Sequence, residues 1–296
     1  MRIGAEMEVW FARPTHDSKV IDMVDTDQQA MLKERIETSM RAAKARRLGT
    51  PIRETKLRPL GKETTTGVLE HSTSAYPNGD LSGLYADIED FTRAVSSITE
   101  ETGLIACPTS QIPTTTIAEG WEKSFMDERK KGILQMFNDV LGEDSLRFTF
   151  MTGTFQTSLS YNSLEHMWDI IRVANYLTPV LYMLGEDTTG FVENDPNRRP
   201  FPPHMRYCHG LGVYGGISQA FYAASDAETY LDAHLSMIST TPLFTHFEGD
   251  GAGEVISHDR YHMLSWNDLR TMGLNSGTNL ALAEGGTYWP DVKLCD

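Results

Sequence analysis

The chain has 296 residues, 40% of them hydrophobic, enough for one large domain or two ordinary ones around a normal globular core. Its 41 Asp and Glu against 26 Lys and Arg leave a net charge of -15, which excludes a general attraction to nucleic acid or an anionic membrane. Any anionic ligand must therefore find a local cluster of Lys, Arg or metal.

Cys107, Cys208 and Cys295 are few, odd in number and far apart, so they form neither a disulfide framework nor a CxxC metal knuckle, and a reducing, cytoplasmic setting is expected. The N-terminus opens on a strand-like pattern without the basic and apolar regions of a signal peptide, and no apolar run approaches membrane-spanning length.

Residues 2–11, RIGAEMEVWF, alternate so that Ile3, Ala5, Met7 and Val9 share one face and Gly4, Glu6 and Glu8 the other. Two carboxylates thus project from one strand face. A polar, Lys/Arg-rich helix is predicted over 26–47, followed by a loop with Pro51 and Pro59 and a second strand over 67–75, with Glu70 near its middle. After the turn Pro77-Asn78-Gly79-Asp80, residues Leu84, Ile88, Phe91, Val95 and Ile98 predict a helix over 81–102 closed by Gly103.

A short buried strand is expected over 104–107 and an amphipathic helix with the basic run Arg129, Lys130, Lys131 over 122–140. The most strand-like segment is 146–160, where Gln156, Ser158 and Ser160 share one face and Phe155, Thr157 and Leu159 the other. A long helix is predicted over 164–184, and the four prolines of 194–203 mark a surface loop. Strands and helices intersperse without regular βαβ periodicity, so the expected class is α+β rather than a doubly wound parallel sheet.

An exposed strand face often carries two carboxylates as its solvated side, so Glu6 and Glu8 alone say little. They gain weight because Glu70, Gln156 and Ser158 lie on other strands in the same alternating register. Oxygen ligands converging from several strands suit Mg²⁺, a hard cation that usually shares its shell with phosphate oxygens.

Ile3-Gly4-Ala5-Glu6-Met7-Glu8 resembles the opening G-x-E-x-E strand of glutamate-cysteine ligases. Gly67-Val68-Leu69-Glu70-His71-Ser72-Thr73 is similar to that family's second acidic strand, and residues 152–160, TGTFQTSLS, resemble its T-x-T-x-Q-x-N-x-D strand. Thr189-Gly190-Phe191 looks like the family's N-G-F-like turn, and residues 288–294, YWPDVKL, like its W-P-E-V-R-L run, so the resemblance spans nearly the whole chain.

The resemblance implies a single carboxylate-amine ligase domain over 1–296 with a glutamine-synthetase-like fold, an antiparallel sheet with flanking helices whose concave face binds Mg²⁺, ATP and an amino acid. By carry-over, Glu6, Glu8 and Glu70 hold metal, Gln156 and Ser158 line the ATP, metal or substrate pocket, and Arg206 steadies phosphate. The implied reaction joins the γ-carboxyl of glutamate to the amine of cysteine through an acyl phosphate, the chemistry of glutathione biosynthesis. A different amine, or a non-catalytic subunit, is the alternative.

Ser158 and Ser160 stand where the family has Asn and Asp, and the sequence stops at Asp296 before the family's following Glu/Arg segment, so either a truncated domain or a shortened relative is expected. Other motifs read as structure. Gly210-Leu211-Gly212-Val213-Tyr214-Gly215 matches G-x-G-x-x-G but lacks a buried strand before it and reads as a glycine-rich loop. His258 and His262 lack the Glu of a zinc-protease helix, Arg129–Lys131 reads as a solvated helix face, and Cys107 has no base beside it. Met126, Met136, Met151, Met167 and Met183 are expected to fill the core.

Overall fold

The structure is a computed structural model that describes residues 1–15, 21–63, 65–77, 80–107, 115–124, 153–185, 215–243, 245–247, 255–257, 264–274, 279–280 and 289–290, with 134, 138–139, 142–143 and 146 singly or in pairs. The chain divides into two compact units, one of residues 1–125, 150–160 and 187–200, the other of residues 126–149, 161–186 and 201–296. Helices combine with antiparallel sheet, as the α+β reading expects; the single parallel pairing among the described residues is a two-residue one in the second unit.

The first unit is organised around its first strand, β1 (Arg2–Pro14), which runs further than the sequence pattern suggests. Its partners are β2 (Ile21–Met23), β4 (Val68–Ser72) and β5 (Tyr76–Pro77) along one edge, and β6 (Ile105–Cys107) and β7 (Phe155–Leu159) along the other, while β3 (Gly61–Lys62) pairs with β4. Every pairing in this sheet is antiparallel, and β1 is hydrogen-bonded on both sides for most of its length.

Two helices, α1 (Thr26–Leu48) and α2 (Leu81–Thr102), cover the odd-numbered face of β1. The first begins with a capping box, in which the Asp25 side chain accepts from Gln28 N and the Gln28 side chain from Asp25 N, and ends at Gly49 in the left-handed conformation (φ 65°). Its charged surface carries one apolar stripe, Leu32, Ile36 and Met40, at four-residue spacing. That stripe packs with Met7, Phe11, Leu69, Phe91, Val95 and Ile98 into one core cluster.

Burying these side chains supplies the main stabilisation, at about 1.5–3 kcal/mol for each large one. Gln29, fully buried, ties the helix to the sheet by donating from Nε2 to Val68 O at 2.9 Å. Asp80 caps α2, and Gly103 (φ 68°) ends it at the residue the sequence designates. A smaller cluster of Trp10, Ala12, Met23, Val68 and Cys107 lies on the other, even-numbered face of β1.

Three expected boundaries differ. Leu146 is helical, and the strand begins only at Phe155. Glu122 ends a short helix, α3 (Ile117–Glu122), rather than opening one, because Thr116, six residues earlier, forms a capping box with Glu119; the run Arg129–Lys131 lies outside the described residues. The second acidic strand is Val68–Ser72, shorter than 67–75.

In the second unit the long helix α4 (Leu164–Gly185) packs through Met167 and Ile171 onto α5 (Gln219–Ala223) and α6 (Ala227–Thr240) around Ala220 and Tyr230. Trp168 packs at a tilt against Tyr230 and Phe221, with ring centres 5.4 and 5.9 Å apart. Met167 is core, as expected, but Met183 is not: it is 82% exposed on the outer face of α4 near its C-terminal end. Met126, Met136 and Met151 fall outside the described residues.

A second cluster, centred on Leu243 and Leu269, seats α7 (Trp266–Thr271). The unit also holds the pairs β9 (Thr245–Phe247) with β10 (Val255–Ser257) and β8 (Gly215–Gly216) with β11 (Trp289–Pro290). Among the described residues no helix is long and apolar enough to cross a membrane.

Candidate functional site: a carboxylate row on the central sheet

Side chains directly across an antiparallel pair share a face, so the register decides which residues meet. Glu8 lies opposite Glu70, and Glu6 lies between Ser72 on one side and Gln156 on the other. Ser158 lies opposite Gly4. All five sequence-predicted residues in the described part of the chain, Glu6, Glu8, Glu70, Gln156 and Ser158, therefore stand on one face, opposite α1 and α2. Arg206 lies outside the described residues.

Ser72 Oγ sits 3.4 Å from Glu6 Oε1 and 3.4 Å from Glu70 Oε1, so a single hydroxyl lies between carboxylates of neighbouring strands and can donate to only one at a time. Thr154 anchors Glu8: its N–H donates to Glu8 Oε2 at 2.8 Å, and its carbonyl accepts from Glu8 N at 2.9 Å. Gln156 Nε2 in turn donates to Thr154 Oγ1 at 2.9 Å. Gly61 faces Glu70 across β3, and a Cβ there would meet Glu70 Cβ and Oε2 at 3.3 Å, so the glycine leaves room for the carboxylate to lie over its own strand.

A fourth carboxylate, Glu63, joins the row by hydrogen-bonding Glu70. Burial first, then this hydrogen bond and the charges of Glu63, Glu6 and Glu8, hold Glu70 well above the ordinary carboxylate range. Glu8 is pushed up to about 7, again by burial first and then by Glu63, against the pull of the Thr154 hydrogen bonds. Every charged neighbour raising these two groups is another carboxylate, and among the described residues no ion pair reaches Glu6, Glu8 or Glu70.

Such a site has a surplus of negative charge that binds either protons or a cation. Among the described residues no three His, Cys, Asp or Glu side chains stand at the mutual spacing of a ligand set, so the row is a convergence of charge rather than a finished coordination shell. Trp10, 1% exposed, follows Glu8 on the same face; among the described residues its indole nitrogen has no hydrogen-bond partner, and it lies where a Cβ on Gly153 would come within 2.9 Å.

Glu63, Ser72 and Thr154 were not singled out by sequence reasoning. Glu63 becomes placeable only once the register is known: Gly61 faces Glu70, and Glu63, two residues on, falls on the same face. Cys107 is buried without a disulfide and burial raises its thiol to about 11, consistent with a structural residue. Residues 210–214 of the glycine-rich motif, and His258 and His262, lie outside the described residues. No family model matches the sequence, and no curated protein matches it significantly.

Proposed function

We propose that this chain is an ATP- and Mg²⁺-dependent carboxylate-amine ligase of the glutamate-cysteine ligase type, with a glutamine-synthetase-like sheet whose concave face is the carboxylate row. The observation that carries the reading is the convergence of Glu6, Glu8 and Glu70, with Glu63, from three adjacent segments onto one open face, at a cost in charge repulsion that folding alone does not require. The donor set fits a hard cation: all oxygen and all carboxylate, with Glu8 and Glu70 raised by burial and by neighbouring carboxylates. A cytoplasmic setting belongs to the same reading, since Cys107 is a free thiol.

Glu6, Glu8 and Glu70 would hold Mg²⁺, whose contribution when bound is to neutralise charge on the phosphoryl oxygens of ATP. The Thr154 N–H holds Glu8 in place before any ligand arrives, so less ordering is left to binding. Gln156 and Ser158, on the same face, would contact nucleotide or amino acid, and Arg206 would steady phosphate. A γ-carboxylate oxygen of glutamate would attack the γ-phosphorus of ATP, releasing ADP. The amine, cysteine in the leading version, would then attack the acyl carbon and expel phosphate.

A second reading is favoured by the lack of a ligand-spaced set among the described residues: a non-catalytic sheet in which Glu8 and Glu70 keep their protons. One experiment separates the readings. The chain is incubated with Mg²⁺, ATP, glutamate and a panel of amines, and products are identified by mass. A γ-glutamyl amide and ADP are expected, with turnover falling at least about 100-fold in Glu70→Gln while the melting temperature holds or rises. Another amide would move the acceptor from cysteine; neither amide nor ADP, at any Mg²⁺ concentration, would leave the non-catalytic sheet.

A further inference from the structure

The acidic chain is interrupted by one strongly basic stretch. Between Arg41 and Lys62 lie eight of the 26 Lys and Arg and a single carboxylate, Glu54. This stretch begins in the last two turns of α1 and continues through a 3₁₀ turn, Ile52–Glu54, into the loop before β3. Arg41, Ile52, Arg53, Thr55, Lys56 and Leu57 line an open cavity of about 620 Å³. Since α1 packs on the face of the sheet opposite the carboxylates, the cavity is separate from the carboxylate row.

The cations of α1 and of the loop after it are not all committed to the fold in the same way. Lys33, Arg35 and Arg47 are committed: Lys33 to Glu37 at 3.1 Å and to Leu60 O, Arg35 to Glu101, and Arg47 to Asp87 at 2.7 Å and Asp90 at 3.0 Å. Among the described residues Arg41 and Lys56 enter no ion pair, and Arg53 has only the neighbouring, exposed Glu54 at 3.4 Å. Among the described residues the three charges facing the cavity thus make no ion pair beyond that of Arg53 with the exposed Glu54.

Their support is rigid. Thr55 is buried, with its Oγ1 2.8 Å from Thr50 Oγ1 and 3.1 Å from Pro51 O, and its N–H donating to Ile52 O at 3.2 Å. At the far end of the loop, buried Leu60 donates from its N–H to Glu37 Oε1 at 2.8 Å. A wall fixed at both ends loses little entropy on binding. Between the cations, Ile52 (55% exposed) and Leu57 offer an apolar surface.

We propose that this cleft binds a small phosphate-bearing molecule with an apolar or aromatic body, a mononucleotide being its simplest member. Guanidinium groups pair with phosphate oxygens in bidentate fashion, and Ile52 and Leu57 give the body a surface to rest on. The cavity volume is in the range of small-molecule sites, roughly 300–1,000 Å³. A long polyanion such as RNA would run off the basic stretch onto a strongly negative surface, which selects a small ligand. The proposal is independent of the ligase reading, in which nucleotide lies on the carboxylate face with metal.

The test is calorimetric titration of the full chain with AMP and with inorganic pyrophosphate, in EDTA at low salt so that metal-dependent binding is silent. Both probes are expected to bind, more weakly as salt rises. Arg41→Gln/Lys56→Gln should weaken both at least about tenfold, Ile52→Ser should weaken AMP alone, and Glu70→Gln should change neither. The charge-preserving Arg41→Lys/Lys56→Arg variant, with a native melting curve, should keep most of the affinity. No binding of either probe to the native chain, a loss in the charge-preserving variant equal to that of the Gln pair, or unchanged binding in the Gln pair would overturn the proposal. Tighter binding of a ten-nucleotide RNA than of AMP would also overturn it, in favour of a macromolecular surface.

Discussion

Two groups of buried or half-buried carboxylates lie within the first unit, and the fold treats them in opposite ways. Burial alone would raise Asp87, yet Tyr76 Oη, Arg47, Lys44 and the Ser74 N–H together hold it below its ordinary value. Arg47 Nη2 is 2.7 Å away and Tyr76 Oη donates to the same carboxylate, tying α1, α2 and the strand end into one network. Glu8 and Glu70 suffer the same burial but are surrounded by more carboxylates, and both rise. Asp87 is given a cationic partner by the fold, whereas among the described residues Glu8 and Glu70 are given none.

The largest effect on folding should therefore come from the paired group. Asp87→Asn removes the charge opposite Arg47 and is expected to cost about 2–4 kcal/mol, read as a lower denaturant midpoint, because Arg47 is then left half-buried with Asp90 as its remaining partner. Glu70→Gln keeps shape and relieves repulsion, so it should be neutral or stabilising. A destabilising Glu70→Gln beside a harmless Asp87→Asn would invert the comparison and place the structural role in the carboxylate row.

An intermediate effect is expected at the end of the row. A Cβ on Gly153 would lie 2.9 Å from Trp10 Nε1, 3.0 Å from Trp10 Cδ1 and 3.4 Å from Glu8 O. Gly153→Ala should cost about 1–3 kcal/mol, since a fully buried indole has little room to retreat. If the row is functional, the same substitution should also weaken Mg²⁺ binding, because Thr154, which anchors Glu8, is the next residue. Full stability in Gly153→Ala would show that the indole moves freely.

The face of β1 was legible because alternation is a local property: Gly4, Glu6 and Glu8 against Ala5, Met7 and Val9 needs only the period of two. The pairing of Glu8 with Glu70 and of Glu6 with Gln156 is not local, and the sequence indicated it only through the similar alternation of three segments. Glu63 escaped because it lies beyond a two-residue strand, too short to show a period. The basic stretch was visible as composition, but the commitment of Arg47 and the freedom of Arg41 and Lys56 depend on Asp87 and Asp90, which folding brings to Arg47 alone. Met183 was misread since apolar neighbours on a helix do not say which face is covered.

The smallest effect is also the most diagnostic, because it has a sign. A group whose folded pKa lies above its unfolded value binds more protons folded than unfolded, so its stabilisation is complete below the unfolded value and is lost as pH rises through the folded one. For Glu8 that window runs from its ordinary value of 4.5 to about 7. His71, buried on the opposite face against Phe91 and lowered to about 4, works the other way: it favours the folded state above 6.5 and withdraws that support as pH falls.

The two windows overlap, so the native chain's profile alone cannot separate them, and the difference between native and Glu8→Gln melting temperatures across pH must be used. Glu8→Gln should become more stable relative to the native chain as pH rises from about 4.5 to 7.5, by on the order of 1–2 kcal/mol after discounting for solvent at a partly exposed row. Saturating Mg²⁺ should erase that difference in the native chain above pH 7 and leave Glu8→Gln unmoved. A flat difference curve would mean that Glu8 ionises at its ordinary value and that the row is an ordinary solvated strand face; a sloped curve insensitive to Mg²⁺ would keep the raised carboxylate and remove the metal.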